Sequence, residues 1–328
     1  MARLLFKVLL FAIISGYILL LVDSYYKEKR VAVYSGNAYL EKTGNIEVAI
    51  FGTSHAYSSY NSKIFEEKWG KNTFNFGTSL QNFDVTEGLI DEVIKQNDLK
   101  LIIVDVYSIA LVDILPTNDF LKSYQITALD GQRFSIGKIK TFFKIFSLEE
   151  IYKISPTLRN HAKWDYILEG NQFILKSNEY FYNGFYTSLE YKEEVFQHSK
   201  KEIEKTKYRN SVRKELKAYE IKKLNSIVEK LSASNIPVVY VVSPSYLKIL
   251  GPRLTSLQQL IDSYFKSKDL VYINLQDHWS ELELKQNDFR HPDHLNIEGA
   301  KKVTNFLIKY IESDHPTFKS FSDIDDHN

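Results

Sequence analysis

Short apolar runs alternate with longer amphipathic stretches over most of this chain of 328 residues. Five runs have the length and character of a strand: Ile46–Phe51, Thr73–Phe76, Leu101–Val106, Val238–Val242 and Leu270–Leu275. The longer stretches repeat apolar residues every three or four positions: Val85–Lys95, Tyr208–Ser234, Thr255–Ser267 and Ile297–Ile311. A shorter helix is predicted from its caps, since it starts at Asn61 or Ser62, runs through Trp69 and closes at Gly70. This alternation predicts a three-layer α/β fold with a parallel, flavodoxin-like sheet.

The first apolar stretch differs from the others because it is nearly continuous. Leu4–Val22 is broken by few polar residues and approaches the ~20 residues with which a helix crosses a bilayer. Arg3 and Lys7 supply the positive charge that precedes a signal segment, but no small-residue cleavage site follows, since the exit reads VDSYYKEKR. We therefore expect residues 1–30 to be an uncleaved transmembrane signal anchor with its juxtamembrane segment. The alternative is a buried core helix.

Two changes of pattern divide the rest of the chain. Residues 31–313 carry the alternating pattern, after a polar connector in which Val31–Tyr34 is interpreted as a short strand. The alternation of strand-like and helical stretches is interrupted at about residues 110–207, which contain mixed and helical stretches and the aromatic run Tyr180–Tyr186. We expect this segment to be a mostly helical insertion that roofs the ligand end of the sheet, and residues 314–328 to be a polar tail.

Composition narrows the class of protein without naming it. Lys and Arg number 42 against 41 Asp and Glu, so the formal charge of +1 gives no reason to expect a nucleic-acid partner. The chain has no cysteine, which excludes disulfides, thiolate catalysis and cysteine-ligated zinc. Aromatic residues reach 14%; ordinary core packing accounts for them, although sugar-binding surfaces use the same side chains.

Candidate chemistry gathers where the predicted strands end. Ligands of a parallel α/β sheet bind beyond the carboxyl ends of its strands. Ser54 follows the first strand, the turn Asn75–Leu80 follows the second, and Tyr107 follows the third, just beyond Asp105. His294 lies in the loop after the last strand and so belongs to the same end.

A serine and a histidine in these positions predict nucleophilic catalysis. A serine hydroxyl is a weak nucleophile and needs a base within hydrogen-bond reach, usually a histidine whose tautomer is fixed by a third group. His294 would take the proton of Ser54 and return it to a leaving alcohol. The oxyanion needs preorganised donors, for which the backbone of Ser54 and of the turn that contains Asn75, Gly77 and Leu80 is available.

These residues also have structural interpretations. Ser54 could cap the helix that follows it, and His294 could bond a loop carbonyl. Asp105 is expected to hold the loop after Ser54 by accepting backbone N–H bonds. His291, Asp293 and His294, together with Asp288, could bind a metal, but no second cluster with ligand spacing accompanies them. We expect neither a metal nor another cofactor.

The two motifs resemble those of the SGNH (GDSL-type) hydrolase superfamily. GTSH at residues 52–55 resembles the turn that carries the nucleophile after the first strand in that family. DHLN at residues 293–296, with Gly299 and Ala300, resembles its last motif as a membrane-anchored branch has it. That branch includes proteins of teichoic-acid D-alanylation and of alginate O-acetylation. The resemblance covers Ile46–Ile311 apart from the insertion.

The segment Leu158–Trp164 is also similar to segments of that branch. This similarity implies that His161 could touch a sugar or an acyl donor. The alternative for His161 and Trp164 is a packed pair on one helix.

Three positions depart from the family pattern. The family acid lies three residues before the histidine, where this chain has His291, so Asp293, Asp288 or no acid at all completes the triad. Asp293 is adjacent to the histidine, and neighbouring side chains in an extended loop usually diverge. A family glycine corresponds to Leu80, and the asparagine donor after the third strand is missing, with Tyr107 as its possible substitute.

The residues and the resemblance together predict a membrane-anchored serine enzyme. Ser54 would be the nucleophile, His294 the base and then the acid, and Asp293 the group that orients it. The family implies ester hydrolysis or O-acyl transfer, of acetyl groups, on a cell-envelope or exported polysaccharide. It also implies a single-pass cell-membrane protein with its catalytic domain outside the cytoplasm, and a membrane acyltransferase as partner. The alternative is a non-catalytic binding or assembly factor for polymer export.

Overall fold

The computed structural model describes residues 1–27, 30–42, 44–111, 119–163, 165, 175–191, 193–194, 197, 214–246 and 252–314. Several sequence predictions lie outside these residues. They concern Trp164, the start of the predicted helix at residues 208–213, parts of the insertion, and the tail beyond Asp314.

A five-stranded parallel sheet forms the centre of the fold. Its strands are β1 (Val48–Phe51), β2 (Thr73–Asn75), β3 (Leu101–Asp105), β6 (Val238–Val242) and β7 (Tyr272–Asn274). Their order in the sheet is β2-β1-β3-β6-β7, which is the doubly wound, flavodoxin-like order. Ligands of such sheets bind where the strand order reverses, here between the ends of β1 and β3. The predicted α/β class is therefore confirmed.

Helices cover both faces of this sheet. The described helices are α1 (Ala2–Tyr26), α2 (Val31–Glu41), α3 (Ser54–Ser59), α4 (Ser62–Trp69), α5 (Phe83–Gln96), α6 (Asp119–Asp130), α7 (Ile136–Ile145), α8 (Pro156–Asn160), α9 (Lys214–Ser232), α10 (Pro252–Lys266) and α11 (Ile297–Asp314). Side chains of α4 and α11 pack with Val48 and Ile50 on one face of β1. Side chains of α5, α9 and α10 pack with Ala49 and Phe51 on the other. Because both faces are covered, the central strands are continuously apolar.

Local sequence signals explain where α4 begins and ends. The side chain of Asn61 caps its first turn by accepting the Lys63 N–H at 3.0 Å. Gly70 closes the helix in the left-handed conformation, with φ of 59°. This helix was predicted from the same two caps.

The strand predicted at Val31–Tyr34 is wrong, because these residues begin α2. A four-residue apolar run is equally compatible with a strand and with a helix turn. As a helix, the segment buries Ala32 and Val33, and its residue Tyr39 packs edge-on against Phe76. The segment thus serves as a cover at the edge of the sheet beside β2.

The described part of the insertion contains α6 to α8, two 3-10 helices (Leu148–Ile154 and His161–Lys163) and an antiparallel hairpin. The hairpin joins β4 (Glu179–Tyr182) to β5 (Phe185–Ser188) through an Asn183-Gly184 turn. The Asn183 carbonyl accepts the Asn75 N–H at 2.9 Å. Thr187 Oγ1 donates to the Leu295 carbonyl at 2.6 Å. The hairpin therefore contacts both the loop after β2 and the segment before α11.

The N-terminal helix α1 is long and apolar enough to cross a membrane, and among the described residues it is the one such helix. Its apolar side chains are exposed along its length. Its last turn contacts the insertion, since Asp23 Oδ1 accepts Ser155 Oγ–H at 2.7 Å and the Thr157 N–H at 2.9 Å.

Candidate active site

The turn from β1 into α3 places Ser54 at the carboxyl edge of the sheet. Gly52 has a φ of 153°, and a Cβ at this position would lie 2.8 Å from the Cβ atoms of Ala56 and Asp105. Only glycine permits this close approach. Thr53 caps α3 by accepting the His55 N–H at 3.2 Å, so the capping role considered for Ser54 belongs to Thr53. The Ser54 hydroxyl is left available for another partner.

A two-stranded hairpin at the same edge carries the histidine. Strands β8 (Phe289–His291) and β9 (His294–Leu295) are antiparallel, and His291 lies opposite His294. Pro292 and Asp293 form the turn between them. Ser54 Oγ–H donates to His294 Nε2 at 2.7 Å across 240 residues of sequence. The two residues predicted as nucleophile and base are therefore within hydrogen-bond distance.

The same turn supplies the acid. His294 Nδ1–H donates to Asp293 Oδ1 at 2.8 Å, and His291 Nδ1 bonds the same oxygen. The divergence expected of neighbouring side chains does not occur, because the chain reverses at Asp293. Asp288 has other partners, since it binds Lys302 Nζ at 2.8 Å and the Lys285 N–H at 2.7 Å. Of the alternatives for the third group, the geometry favours Asp293.

The environment sets the protonation states that this arrangement needs. Burial raises the pKa of Asp293, but the charge of His294 and the hydrogen bonds from His291 and His294 outweigh burial and hold it well below its usual range. Burial lowers the pKa of His294, and the Asp293 carboxylate opposes that shift only in part. At neutral pH, Asp293 is ionised and His294 is neutral, so Nε2 accepts while Nδ1 donates.

His55 is a component of the site that the motif analysis left without a role. Its ring is buried and lies between two others: it stacks on Tyr107 with centroids 3.6 Å apart and on His294 with centroids 4.7 Å apart. Neither ring nitrogen of His55 has a hydrogen-bond partner among the described residues. Burial, aided by the nearby His294, holds the pKa of His55 well below its usual range, so the ring is neutral. A histidine directly after the nucleophile was the only sequence signal for this contact.

His55, Asp293 and His294 each place one potential metal ligand within 4.8 Å of the others. Both nitrogens of His294, however, already bond Ser54 and Asp293. The rings of His55 and His294 are inclined by only 26°, whereas a metal must lie in the plane of each histidine ring that binds it. Stacked rings do not converge on one ion, so this cluster fits a proton-transfer site better than a metal site.

Leu80 occupies the position where the SGNH pattern that the motifs resemble has glycine. Its φ is 52°, in the left-handed region that glycine prefers. Gln125 Nε2 donates to the Leu80 carbonyl at 2.7 Å and holds the turn, while the Thr78 N–H bonds the Gly52 carbonyl at 3.2 Å. Within the described chain, the N–H groups of Ser54 and Leu80 have no protein acceptor. Both N–H groups are therefore open to a ligand.

Asn75 and Gly77 have structural roles instead of the expected role in oxyanion binding. Asn75 is fully buried, and its Nδ2 donates to the carbonyls of Ala56 and Tyr60 at 2.9 and 3.1 Å. Its Oδ1 accepts the Gly77 N–H at 3.0 Å, so that donor is also engaged. A Cβ on Gly77 would lie 2.9 Å from the Thr53 carbonyl. Both residues pack the loop after β2 against the loop that carries the nucleophile.

Tyr107 contacts the site indirectly. Its ring is buried against His55, and burial raises the pKa of its hydroxyl, which stays protonated. Asp105 accepts the Tyr107 N–H at 2.7 Å and Tyr60 Oη–H at 2.8 Å. Burial raises the pKa of Asp105 to about 6 against these bonds. Asp105 therefore has a structural role, but its backbone bond holds the loop after β3 and not, as predicted, the loop after Ser54, which it reaches only through the side chain of Tyr60.

The structure does not bring His161 to this site. His161 is exposed, and its Nδ1 bonds the Leu158 carbonyl of the preceding turn at 2.7 Å. It follows α8, which packs against α1, and its hydrogen bond is to its own helical turn and not to Ser54 or His294. The expected contact of His161 with a sugar or acyl donor has no support in this geometry.

Comparisons with known proteins do not assign the chain to a family. No family model matches the chain, and no curated protein sequence matches it. Among solved structures, the chain is similar to a crystal structure of a candidate acylhydrolase from Bacteroides fragilis, with a TM-score of 0.40 and 10% sequence identity. The superposition covers 87% of this chain and 95% of the other. The chemistry of the site therefore has to follow from its own geometry.

Proposed function

We propose that the protein is a serine-dependent acyl-ester hydrolase or O-acyltransferase of the SGNH type. One observation carries this proposal: Ser54, His294 and Asp293 form a continuous hydrogen-bonded series, with distances of 2.7 and 2.8 Å. This is the arrangement that activates a serine hydroxyl at neutral pH. The resemblance of residues 52–55 and 293–296 to the two SGNH motifs supports the same chemistry.

The first half of the reaction acylates Ser54. Oγ attacks the ester carbonyl carbon while His294 Nε2 takes the hydroxyl proton. The N–H groups of Ser54 and Leu80 would donate to the oxyanion, and Asp293 stabilises the imidazolium. When the tetrahedral intermediate collapses, His294 gives its proton to the leaving alkoxide. The products are a free alcohol and an acyl ester on Ser54.

The second half regenerates the hydroxyl. Water or a sugar hydroxyl gives its proton to His294 Nε2 and attacks the acyl carbon. The second tetrahedral intermediate releases Ser54 Oγ, which recovers the proton from His294. With water the protein is an esterase, and with a sugar hydroxyl it is an O-acyltransferase. The same residues serve both outcomes.

The substrate class is supported by the family resemblance. The branch with the closest motifs modifies envelope polymers, so we propose an acetyl ester on a cell-envelope or exported polysaccharide. In the same branch, a membrane acyltransferase is the expected acyl-donating partner. The catalytic domain is accordingly proposed to lie outside the cytoplasm.

The contacts of α1 support an anchor that is retained. Asp23 follows the apolar stretch and is buried by Ser155 and Thr157. Asn160 Nδ2 donates to the Tyr26 carbonyl at 2.8 Å. A signal that is removed has no need of specific hydrogen bonds to the mature domain. We propose that α1 stays attached and anchors the domain in a single-pass topology.

The test uses the full chain in detergent micelles or nanodiscs, with a fluorophosphonate probe and an acetyl-ester substrate. The wild type is expected to label at Ser54 and to turn over the ester. Ser54→Ala should abolish both, and His294→Ala should lower turnover by about 10³-fold or more. Ser267→Ala and His278→Ala are matched controls, because Ser267 bonds only its own helix and His278 pairs with Glu281.

A wild-type chain that neither labels nor hydrolyses acetyl esters, while remaining folded, would contradict the enzyme proposal. It would then favour the non-catalytic assembly factor. Labelling with turnover that rises on addition of an acetylatable polysaccharide would identify the transferase form.

A further inference from the structure

A group of large apolar side chains is exposed on the helical part of the insertion. Leu148, Ile151 and Tyr152 of the first 3-10 helix are 68, 47 and 48% exposed, and Leu158 of α8 is 47% exposed. In a 3-10 helix, residues three apart lie on one side, so Leu148 and Ile151 share a side, and Tyr152 is offset from them by about a third of a turn. We call these four residues the apolar face.

Contacts with α1 fix the position of the apolar face relative to the end of that helix. The apolar stretch of α1 ends at Val22, and Asp23 directly after it caps α8 through Ser155 and the Thr157 N–H. The first polar residue after a membrane span lies at the boundary of the hydrocarbon layer. The start of α8 therefore lies at this depth, and the apolar face is within two turns of it along the chain.

α8 is also fixed to the rest of the domain. Arg159 forms an ion pair with Asp130 of α6, whose side chain is fully buried. α8 packs against the 3-10 helix that carries Leu148, Ile151 and Tyr152. Because of these contacts, the depth of Asp23 in the membrane also determines the depth of the apolar face.

The neighbouring helix α7 has the same character. Its inner side buries Thr141 and Phe142, and the helix packs on α5. Its outer side exposes Ile136 and Phe143, which are 74 and 41% exposed and seven positions apart, so they share a side. A helix with one side buried in its domain and apolar residues on the other resembles helices that lie in a membrane interface.

We infer that the apolar face, together with the outer side of α7, lies in the headgroup region of the same bilayer that α1 crosses. This inference rests on the proposed retention of α1 as an anchor. Two attachments, one spanning and one interfacial, fix the orientation of the domain, so that the Ser54 site is held at a set height and angle above the membrane.

Apolar insertion, and not charge, drives this contact. Three lysines beside the face already form ion pairs: Lys122 and Lys153 pair with Glu150, and Lys144 pairs with Glu87. Contact with anionic lipid through these groups would compete with existing ion pairs. Lys140, between Ile136 and Phe143 on the outer side of α7, is exposed and adds a single charge. The face should therefore bind neutral and anionic bilayers equally, with little dependence on salt.

The absence of cysteine makes a direct test possible. Single substitutions Ile151→Cys, Ile14→Cys and Lys309→Cys in the full chain would carry a fluorescent label, in nanodiscs of phosphatidylcholine alone or with phosphatidylglycerol. Ile14 reports the anchor. Lys309 is an exposed residue of α11, which covers the opposite face of the sheet from α5 and α7. Quenching by nitroxide on the lipids is compared with quenching by aqueous iodide.

Lipid quenching at Ile151 is expected to reach roughly half of that at Ile14, since interfacial side chains lie ~5–10 Å inside the headgroup boundary. Lys309 should respond to iodide alone, and both lipid compositions should agree. If Ile14 is quenched by lipid but Ile151 behaves like Lys309, α1 spans the membrane and the interfacial contact is refuted. A second copy or a protein partner would then cover the apolar face. Quenching at Ile151 in anionic lipid alone also refutes apolar insertion. Without lipid quenching at Ile14, the anchor and this inference fail together.

Discussion

Two histidines support the Ser54–His294 pair at the residue scale. His291 bonds Asp293 from one side of the hairpin turn, while His55 stacks on the ring of His294. A base that must be aligned within a fraction of an ångström depends on such neighbours. The rotation of His294 is thus restricted by a carboxylate at one nitrogen and by a ring against its face.

Asp293→Asn tests which acid completes the triad. An amide at this position can donate to Nδ1 and stabilise the wrong tautomer of His294, so kcat should fall by about 10³–10⁴-fold. Asp288→Asn is the matched control, because Asp288 bonds Lys302 and the Lys285 N–H instead. Asp288→Asn should lower the melting temperature while keeping kcat within a few-fold. The opposite ranking of the two kcat values would assign the role to Asp288.

The acid limb of the pH profile reports the base. Burial lowers the pKa of His294 below its ordinary value of about 6.5, and the proposed reaction needs the neutral ring. As pH rises, kcat/KM should increase about tenfold per unit and then level off at a midpoint below 6.5. Asp293 opposes the effect of burial, so Asp293→Asn should move the midpoint to still lower pH. A midpoint above 6.5, measured from initial rates, would be inconsistent with a buried, neutral His294.

His55 should be replaceable by a flat apolar ring but not by a small side chain. His55→Phe keeps the stack and removes two buried nitrogens that lack partners, so it should stabilise the fold by about 1–3 kcal/mol and keep kcat. His55→Ala leaves the ring of His294 unsupported and should lower kcat about tenfold with KM little changed. Denaturant unfolding and initial rates distinguish the two effects. A loss of activity in His55→Phe would show that a His55 nitrogen acts in the reaction.

The sequence predicted the pair, and Asp293 as one of the candidates for the acid, but not the other supports. Ser54 and His294 follow from strand ends and motif order, which are local signals. The choice of Asp293 over Asp288 or no acid required knowing that the chain reverses at Pro292-Asp293, whereas the pattern alone suggested an extended loop. The left-handed φ of Leu80 and the burial of Asn75 depend on contacts with Gln125, Ala56 and Tyr60, which no local pattern shows.

At the scale of elements, the β4–β5 hairpin connects the two halves of the site. Its Asn183-Gly184 turn has φ of 44 and 81°, the two positive values that a type I′ turn requires. The tip enters the fold so closely that a Cβ on Gly184 would lie 1.8 Å from the Asn75 carbonyl. An aromatic segment that interrupts the α/β rhythm therefore helps to hold the loop after β2.

Gly184→Ala tests this contact, with Gly70→Ala as its matched control. Both glycines have positive φ, but nothing lies within 4 Å of a Cβ at Gly70. Gly70→Ala should lower the free energy of unfolding by about 1–2 kcal/mol, because alanine is strained in the left-handed backbone conformation. Gly184→Ala should lower the free energy of unfolding by a further ~1–3 kcal/mol, because the added methyl group would clash with the backbone of Asn75. Equal losses in denaturant unfolding would mean that the hairpin tip is not docked.

Helices and strands with strong local sequence signals have nearly the bounds that the sequence predicts. Segments with weak signals were not identified correctly. β6 has the predicted bounds Val238–Val242, and α4 has the predicted caps. The short run at Val31–Tyr34 was assigned to the wrong class, because a period cannot be read from four residues. The mixed stretch at residues 120–129 became α6, whose helical form is stabilised by packing on α2 and α7.

For the whole molecule, α1 and the α/β domain meet at one short helix. Among the described elements, α1 packs chiefly on α8. The sheet and its covering helices do not depend on α1 for burial. Anchoring and catalysis are therefore separable in principle.

A chain that starts at residue 31 should keep the site and lose order at α8. Ser155, Thr157 and Asn160 would lose their partners Asp23 and Tyr26. Hydrogen exchange of residues 155–163 should speed up at least about tenfold, while β1 and β3 keep their protection. Turnover of a soluble ester should stay within about threefold, as a site outside the affected segment allows. Loss of protection throughout the sheet would show that the anchor is part of the folding unit.

The contacts that complete the site join residues far apart in sequence, so the site can form only late in synthesis. Ser54 emerges from the ribosome early, but its base follows 240 residues later, and Thr304 Oγ1 accepts the Asn61 N–H across 243. The hairpin at residues 179–188 must arrive in between to hold the loop after β2. A nascent chain that ends before α11 therefore has a serine with no base and no fixed pocket. Translation must therefore be complete before the proposed nucleophile has its base, and under the proposed export the domain acquires its chemistry only at the end of translocation.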